Sequence, residues 1–150
     1  MKLISNVAAI SLLLPLLSGC DFFDAKIVTI CEAALKQRLL SPTDYKRVEI
    51  SRSEKILNGA EYLASLQDLK LSAAIIQRDM RDFDAGKVKP VQINIFIKYD
   101  TPNSFGVPIR SSVDCEDISL AGDGSGSSKF SVKINGKTET EWIAAGGLRE

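Results

Sequence analysis

Val91-Gln92-Ile93-Asn94-Ile95-Phe96-Ile97-Lys98-Tyr99 is the clearest strand in the chain. With a side-chain period of two, Val91, Ile93, Ile95, Ile97 and Tyr99 share one face while Gln92, Asn94, Phe96 and Lys98 take the other. An apolar face of this kind needs a covering layer, so the flanking segments decide the architecture. Downstream, residues 100–106 read as a turn, after which Val107, Ile109, Val113 and Cys115 share one face of a second strand. Phe130, Val132 and Ile134 mark a third, ending at Asn135-Gly136. A two-residue hairpin there would set these residues against Glu141, Glu139 and Lys137. A short helix fits better, capped by Thr138 with Glu141 as capping-box partner, carrying Trp142 and Ile143 and stopping at Gly146.

Upstream, Asp24 is the expected N-cap of a helix running to Leu40 and stopped by Ser41-Pro42. Ile27, Val28, Ile30, Cys31, Ala34, Leu35 and Leu39 fall on one arc of its wheel. Residues 45–50 alternate as a half-buried strand, with Val48 and Ile50 on one face and Arg47 and Glu49 on the other. Between residues 60 and 83 the positions Tyr62, Leu66, Leu69, Ala73, Ile76, Met80 and Phe83 step by four and three, which predicts one long helix over about 60–85. Leu71 and Ile75 lie off that seam, so it reads as a helix lying on its own domain rather than a coiled-coil dimer. The expected fold is α+β: an N-terminal helix packed on a small antiparallel sheet, with the long inserted helix and a short C-terminal helix as further cover.

The 150 residues carry 19 basic and 19 acidic side chains and no histidine. Zero net charge in a chain of one-domain length excludes a strongly basic nucleic-acid binder and an acidic disordered tail. Without histidine the chain lacks the usual base near pH 7 and the commonest zinc ligand, so no metal or cofactor is expected.

Met1-Lys2 is a short positive start, and residues 3–17 are almost wholly apolar. At roughly 15 residues this is a signal-peptide core, too short to span a hydrocarbon layer of ~30 Å. It runs into Leu17-Ser18-Gly19-Cys20, which resembles the lipobox of bacterial lipoproteins, in which the cysteine becomes the acylated first residue. The resemblance implies a signal peptide over 1–19, a single lipid-anchored domain over 20–150, and lipidation at Cys20. Removing 19 of 150 residues leaves 131 and takes Lys2 with it, so the net charge becomes −1. Two or more acyl chains, palmitate among them, would hold the protein on the membrane without a spanning helix. Asp21 resembles the signal for retention in the inner membrane of enteric bacteria. About four residues separate Cys20 from the first helix, a reach of at most ~14 Å, so the domain is expected directly on the membrane surface.

With Cys20 acylated, Cys31 and Cys115 remain, an even pair in the oxidising periplasm and both on expected core faces. A bond between them would close a loop of roughly 84 residues, worth about 4–5 kcal/mol in the chain-entropy model; the alternative is two independent buried thiols. Cys31, then Leu40-Ser41-Pro42, then Tyr99-Asp100, Asn103, Phe105-Gly106, Arg110 and Cys115 are similar in pattern to a loose family of small uncharacterised exported bacterial proteins. That resemblance supports the fold and the disulfide, marks residues 57–86 as an insertion or divergent region, and implies no activity.

Asp100, Asn103, Gly106 and Arg110 concentrate polar groups at one strand connection. Asn103 can cap the turn, Gly106 can take positive φ, and Arg110 can pair with Asp100 across the hairpin. The functional version makes Arg110 a forked anion-binding group within a partner site of Asp100, Asn103 and Arg110. Residues 122–129 are glycine-rich but lack the phosphate-loop spacing and its strand-to-helix context. Glu116 and Asp117 are the carboxylates available for glycosidase-type chemistry, with no second carboxylate placed beside them. The expectation is therefore a non-enzymatic, protein-binding or accessory lipoprotein of the cell envelope, facing the periplasm. The alternatives are a periplasmic inhibitor or small-ligand binder with a concave site near residues 100–110 and, behind it, a cell-wall hydrolase. The partners are a membrane, through Cys20, and an envelope protein, with no nucleic acid.

Overall fold

A computed structural model describes residues 25–121, 124 and 126–147; the lipobox with Cys20, together with Asp21 and Asp24, lies outside them. The chain is α+β, with four helices and a four-stranded antiparallel sheet among the described residues, in the order β1-β2-β3-β4. In chain order come α1 (Lys26–Lys36), a 3-10 turn (Pro42–Asp44), β1 (Lys46–Ile56), α2 (Gly59–Asp68), α3 (Ala73–Asp84), β2 (Val91–Pro102), β3 (Pro108–Ser119), β4 (Lys133–Ile134) and α4 (Glu139–Ala144). Among the described residues no helix is long and apolar enough to cross a membrane.

β2 has the strict alternation its sequence predicts, with Val91, Ile93, Ile95, Ile97 and Tyr99 buried. The apolar arc of α1 covers that face: Ile27, Val28, Cys31, Ala34, Leu35 and Leu39 join the β2 residues, Val113, Cys115, Val132 and Ile134 in one core. Cys31 and Cys115 are disulfide-bonded with their Cα atoms 5.9 Å apart, fixing α1 to β3. Beside the disulfide, the Glu32 carboxylate accepts hydrogen bonds from Tyr45 (2.6 Å) and from Nε and Nη2 of Arg47 (both 2.7 Å). Burial pushes this carboxyl up, yet Arg47 and Tyr45 outweigh it and hold it below its usual 4.5. The Tyr45 phenol is pushed well up by burial and by the same carboxylate.

Several local expectations are corrected. The N-cap of α1 is Ala25, not Asp24, and no side chain caps it. The helix ends at Lys36 rather than Leu40, because Arg38 turns away to donate to the carbonyls of Ile134 (3.0 Å) and Lys137 (2.8 Å) while Leu39 tucks into the core. In β1 a bulge between Arg47 and Glu49 leaves Val48 without a partner. The strand thereby delivers Arg47 to Glu32, beside Ile50 in the core, and Val48 stays exposed. The β2 strand continues to Pro102, so the turn starts after the expected residue 100. Val107 and Ile109 are exposed, since the α1 layer does not extend over that end of the hairpin. Of the expected strand at 130–134 only Lys133 and Ile134 pair with β3, and Phe130 is exposed.

The single long helix over 60–85 is not formed. The chain breaks between α2 and α3, with Lys70 at φ 52°. Folding back brings Tyr62 and Phe83 to a ring-centroid distance of 5.6 Å, where one continuous helix would hold them roughly 31 Å apart. Leu57, Tyr62 and Leu66 then form a second small core with Leu71, Ile76, Met80, Phe83 and Ile118. Ile118 faces away from Cys115 and Asp117, so this hairpin lies on the sheet face opposite α1. Ion pairs of Glu61 with Lys55 and of Asp68 with Lys133 tie α2 to β1 and β4. The tight turn at Asn135-Gly136, both at positive φ, is followed by α4 with the expected Thr138–Glu141 capping box.

Two outcomes follow from this packing. Replacing both Cys31 and Cys115 by Ala should lower unfolding stability by about 4–5 kcal/mol in a urea titration; a loss below 1 kcal/mol would show that the crosslink carries little. Because folding depresses the Glu32 pKa, its contribution is complete above the unfolded-state value and is lost as pH falls through the folded one. Stability measured from pH 7 down to 3 should therefore fall more steeply in the wild type than in Glu32→Gln, and parallel curves would exclude that role.

Candidate functional site

The predicted polar cluster assembles at the tip of the β2–β3 hairpin. The Asn103 side-chain carbonyl accepts hydrogen bonds from the amides of Phe105 (2.9 Å) and Val107 (3.1 Å). Asn103 N–H donates to the Val107 carbonyl and Gly106 N–H to that of Asn103, both at 2.9 Å. Gly106 sits at φ +77°, where a side chain would be strained. Below the turn Asp100 and Arg110 are directly opposite in register. Arg110 Nε and Nη2 reach the two Asp100 oxygens at 2.8 and 3.0 Å, a two-pronged pair. The guanidinium holds the Asp100 carboxyl below its ordinary range.

The three residues singled out in the sequence thus come together, with Asp100 and Arg110 spent on each other. An incoming anion would have to displace a carboxylate already seated on the guanidinium fork, so their arrangement stiffens the hairpin first of all. What it stiffens is the feature that sequence reasoning missed. Phe105 at the apex is 88 % exposed, and Val107, Ile109 and Leu40 are exposed as well. Leu40, Asp44 and Asn103 line a shallow hollow beside the tip. The signal was present in Phe105-Gly106-Val107, an apolar pair straddling the end of the expected turn, with Phe105 read as turn and Val107 as part of the next strand's apolar face.

A more enclosed concavity lies elsewhere. Between α2 and the face of the sheet opposite α1 is a cleft of about 480 Å³ with Leu57, Leu69, Ile118 and Phe130 among its apolar walls and Lys55, Glu61, Asp68, Glu116 and Lys133 at its polar ones. The hollow lies where a concave site near residues 100–110 was expected; the cleft, walled by α2 and the sheet, was not expected from the sequence. Glu116 and Asp117 point to opposite faces of β3 and cannot act as a facing pair. Asp117 instead accepts hydrogen bonds from the hydroxyls of Ser127 and Ser131, holding the loop before β4 against the sheet.

If the Asp100–Arg110 pair stiffens the tip, Arg110→Ala should leave the global unfolding midpoint nearly unchanged while amide exchange at Phe105, Gly106 and Val107 accelerates. Collapse of the whole domain, or unchanged exchange, would contradict this.

No protein-family model, curated protein or solved structure matches this chain, so the chemistry of the tip and the cleft stands on its own.

Proposed function

We propose that this protein is a lipid-anchored module of the bacterial cell envelope that binds a protein partner through the tip of its β2–β3 hairpin, without catalysis of its own. The observation that carries this reading is Phe105, a large aromatic side chain held almost fully in solvent by a turn with four internal hydrogen bonds and a two-pronged ion pair beneath it. Exposed aromatic residues on rigid supports are the usual anchors of protein interfaces, because little freedom is lost on docking. Leu40, Val107 and Ile109 extend the apolar area around it, and Asp100, Arg110 and Asp44 supply a polar rim.

The anchor reading rests on the Leu17-Ser18-Gly19-Cys20 lipobox, and Asp21 favours the inner membrane. The described chain starts at Ala25, and Ile27 packs beside Gly124, whose amide bonds Ser119 at the end of β3. The tip lies at the other end of β2 and β3, roughly 40 Å away for 12-residue strands. A lipid at Cys20 would therefore leave the tip uncovered. A second reading, a small apolar ligand held in the cleft beneath α2, is favoured by that cleft's volume and its apolar walls.

Cells fed labelled palmitate should label the wild type and not Cys20→Ser. The paired change Phe105→Ser and Val107→Ser should keep label, fold and membrane location, yet lose the proteins that co-purify with the wild type from detergent extracts. Unlabelled wild-type protein would overturn the anchor, and undiminished co-purification would overturn the tip.

A further inference from the structure

The outer edge of β1 is the longest unpaired backbone in the molecule's described part. β1 is the first strand of the sheet, pairs only with β2, and its residues from Ser51 to Ile56 are all exposed. Natural edges of this length are usually protected by charge and by bulges. Here a bulge stands at Val48, and from Glu49 to Ile56 the strand is regular. Its charges, however, are ordered in a way that protection alone does not require.

The phase of the hydrogen bonds fixes which groups are available. Leu57 N–H donates to the Pro90 carbonyl at 3.0 Å, one step beyond the Ile56–Val91 pair. Antiparallel ladders alternate, so Ser51, Ser53 and Lys55 turn their backbone groups to β2, while Ile50, Arg52, Glu54 and Ile56 turn theirs outward. A second β1 strand can use these groups only if its own even-numbered residues oppose them. A two-fold axis must then pass through a residue of the strand. Through Arg52 it sets that arginine against itself; through Glu54, two carboxylates; through Ser51, Arg52 faces Ile50.

Through Ser53 every opposition of outward-facing residues is favourable. In Ile50-Ser51-Arg52-Ser53-Glu54-Lys55-Ile56, Arg52 then faces Glu54 of the other copy and Glu54 faces Arg52. Ile50 faces Ile56, whose side chain is 77 % exposed in the single chain, and the small Ser53 faces itself. Arg52 and Glu54 already form an ion pair along one strand at 2.5 Å; across the axis the four groups would alternate in sign around a square. The pairing ends where the strand's regular part ends, at the bulge on one side and Leu57 on the other.

We propose that the chain self-associates through antiparallel pairing of β1 with β1 of a second copy, centred on Ser53, to give a continuous eight-stranded sheet. About eight backbone hydrogen bonds would form, two for each opposed pair of outward-facing residues. Such an interface is isologous, as a two-fold dimer requires. Both α1 helices would lie on the same face of the joined sheet. The proposal does not depend on lipidation or on a partner at the hairpin tip.

The axis gives a sharp test. Ser53 would be a non-hydrogen-bonded pair with its own copy, with Cα atoms about 4.5 Å apart, close enough for a disulfide. Ser51, on the same strand and the same face, would sit roughly 13 Å from its copy. Whole cells producing the full-length chain with Ser53→Cys, Ser51→Cys or neither are treated with a mild oxidant and run on non-reducing gels. Ser53→Cys should give a dimer band at least tenfold stronger than Ser51→Cys or the wild type. In the Ser53→Cys background, Arg52→Glu and Glu54→Arg should each reduce that band several-fold, and the two together should restore it, with circular dichroism confirming that each variant is folded. Equal crosslinking at 51 and 53, absence of a dimer at 53, or failure of the double exchange to recover the band would overturn the proposal.

Discussion

The bond between Cys31 and Cys115 joins the two layers at their centre, and the rest of the domain is arranged around it. Both cysteines are fully buried, one on the inward arc of α1 and one on the inward face of β3. Among the described residues the principal core has one covering helix, of 11 residues, lying on a sheet whose fourth strand has two residues. A helix of that length is marginal in isolation and is held by its packing. Crosslinking it to the sheet across 84 residues of chain removes much of the unfolded state's freedom. Glu32, next in sequence, extends the same constraint laterally by gathering Tyr45 and Arg47, and so fixes the path from the 3-10 turn into β1.

The bulge at Val48 follows from that requirement. Without it, Arg47 and Ile50 would lie on opposite faces of the strand; with it, the cation reaches Glu32 while Ile50 still packs on the core. A polar contact thus resets the phase of an edge strand, and the residues beyond it inherit the new phase. Ile50, Arg52, Glu54 and Ile56 share the face on which α1 lies.

Much of this was legible from residue order. The alternation of β2, the inward arc of α1 and the Thr138–Glu141 capping box came from local pattern, because in each case one period or one chemical rule acts alone, and the pairing of Cys31 with Cys115 came from setting Cys20 aside and from both cysteines lying on expected core faces. Where two requirements compete, the sequence is ambiguous. The spacing from Tyr62 to Phe83 fits one helix or two folded against each other; the reversal leaves the seam positions Leu69 and Ala73 exposed and brings the off-seam Leu71 into the second core beside the Tyr62–Phe83 contact. The Val48 bulge was hidden for a related reason, being dictated by Glu32, a residue 15 positions before the arginine it binds. At the hairpin, spacing identified Asp100, Asn103 and Arg110 but not their consequence, because exposure of Phe105 depends on where the α1 layer stops.

That limit of α1 also separates the surfaces on which the functional readings rest. The helix leaves the β2–β3 tip uncovered, and β1 remains an edge because its neighbouring position is occupied by no strand of the described chain. Pairing about Ser53 would use residues 50–56 and leave Lys46 and Arg47, at the strand end nearest the tip, outside the joined ladder. The two hairpin tips would then stand at opposite ends of the eight-stranded sheet, each with its Phe105 exposed, while both α1 helices, with Ala25 at their start, lie on one face. With Cys20 lipidated as proposed, a membrane would hold two anchors and two tips per assembly, and a weak contact at each Phe105 would act with the effective concentration of a bivalent surface.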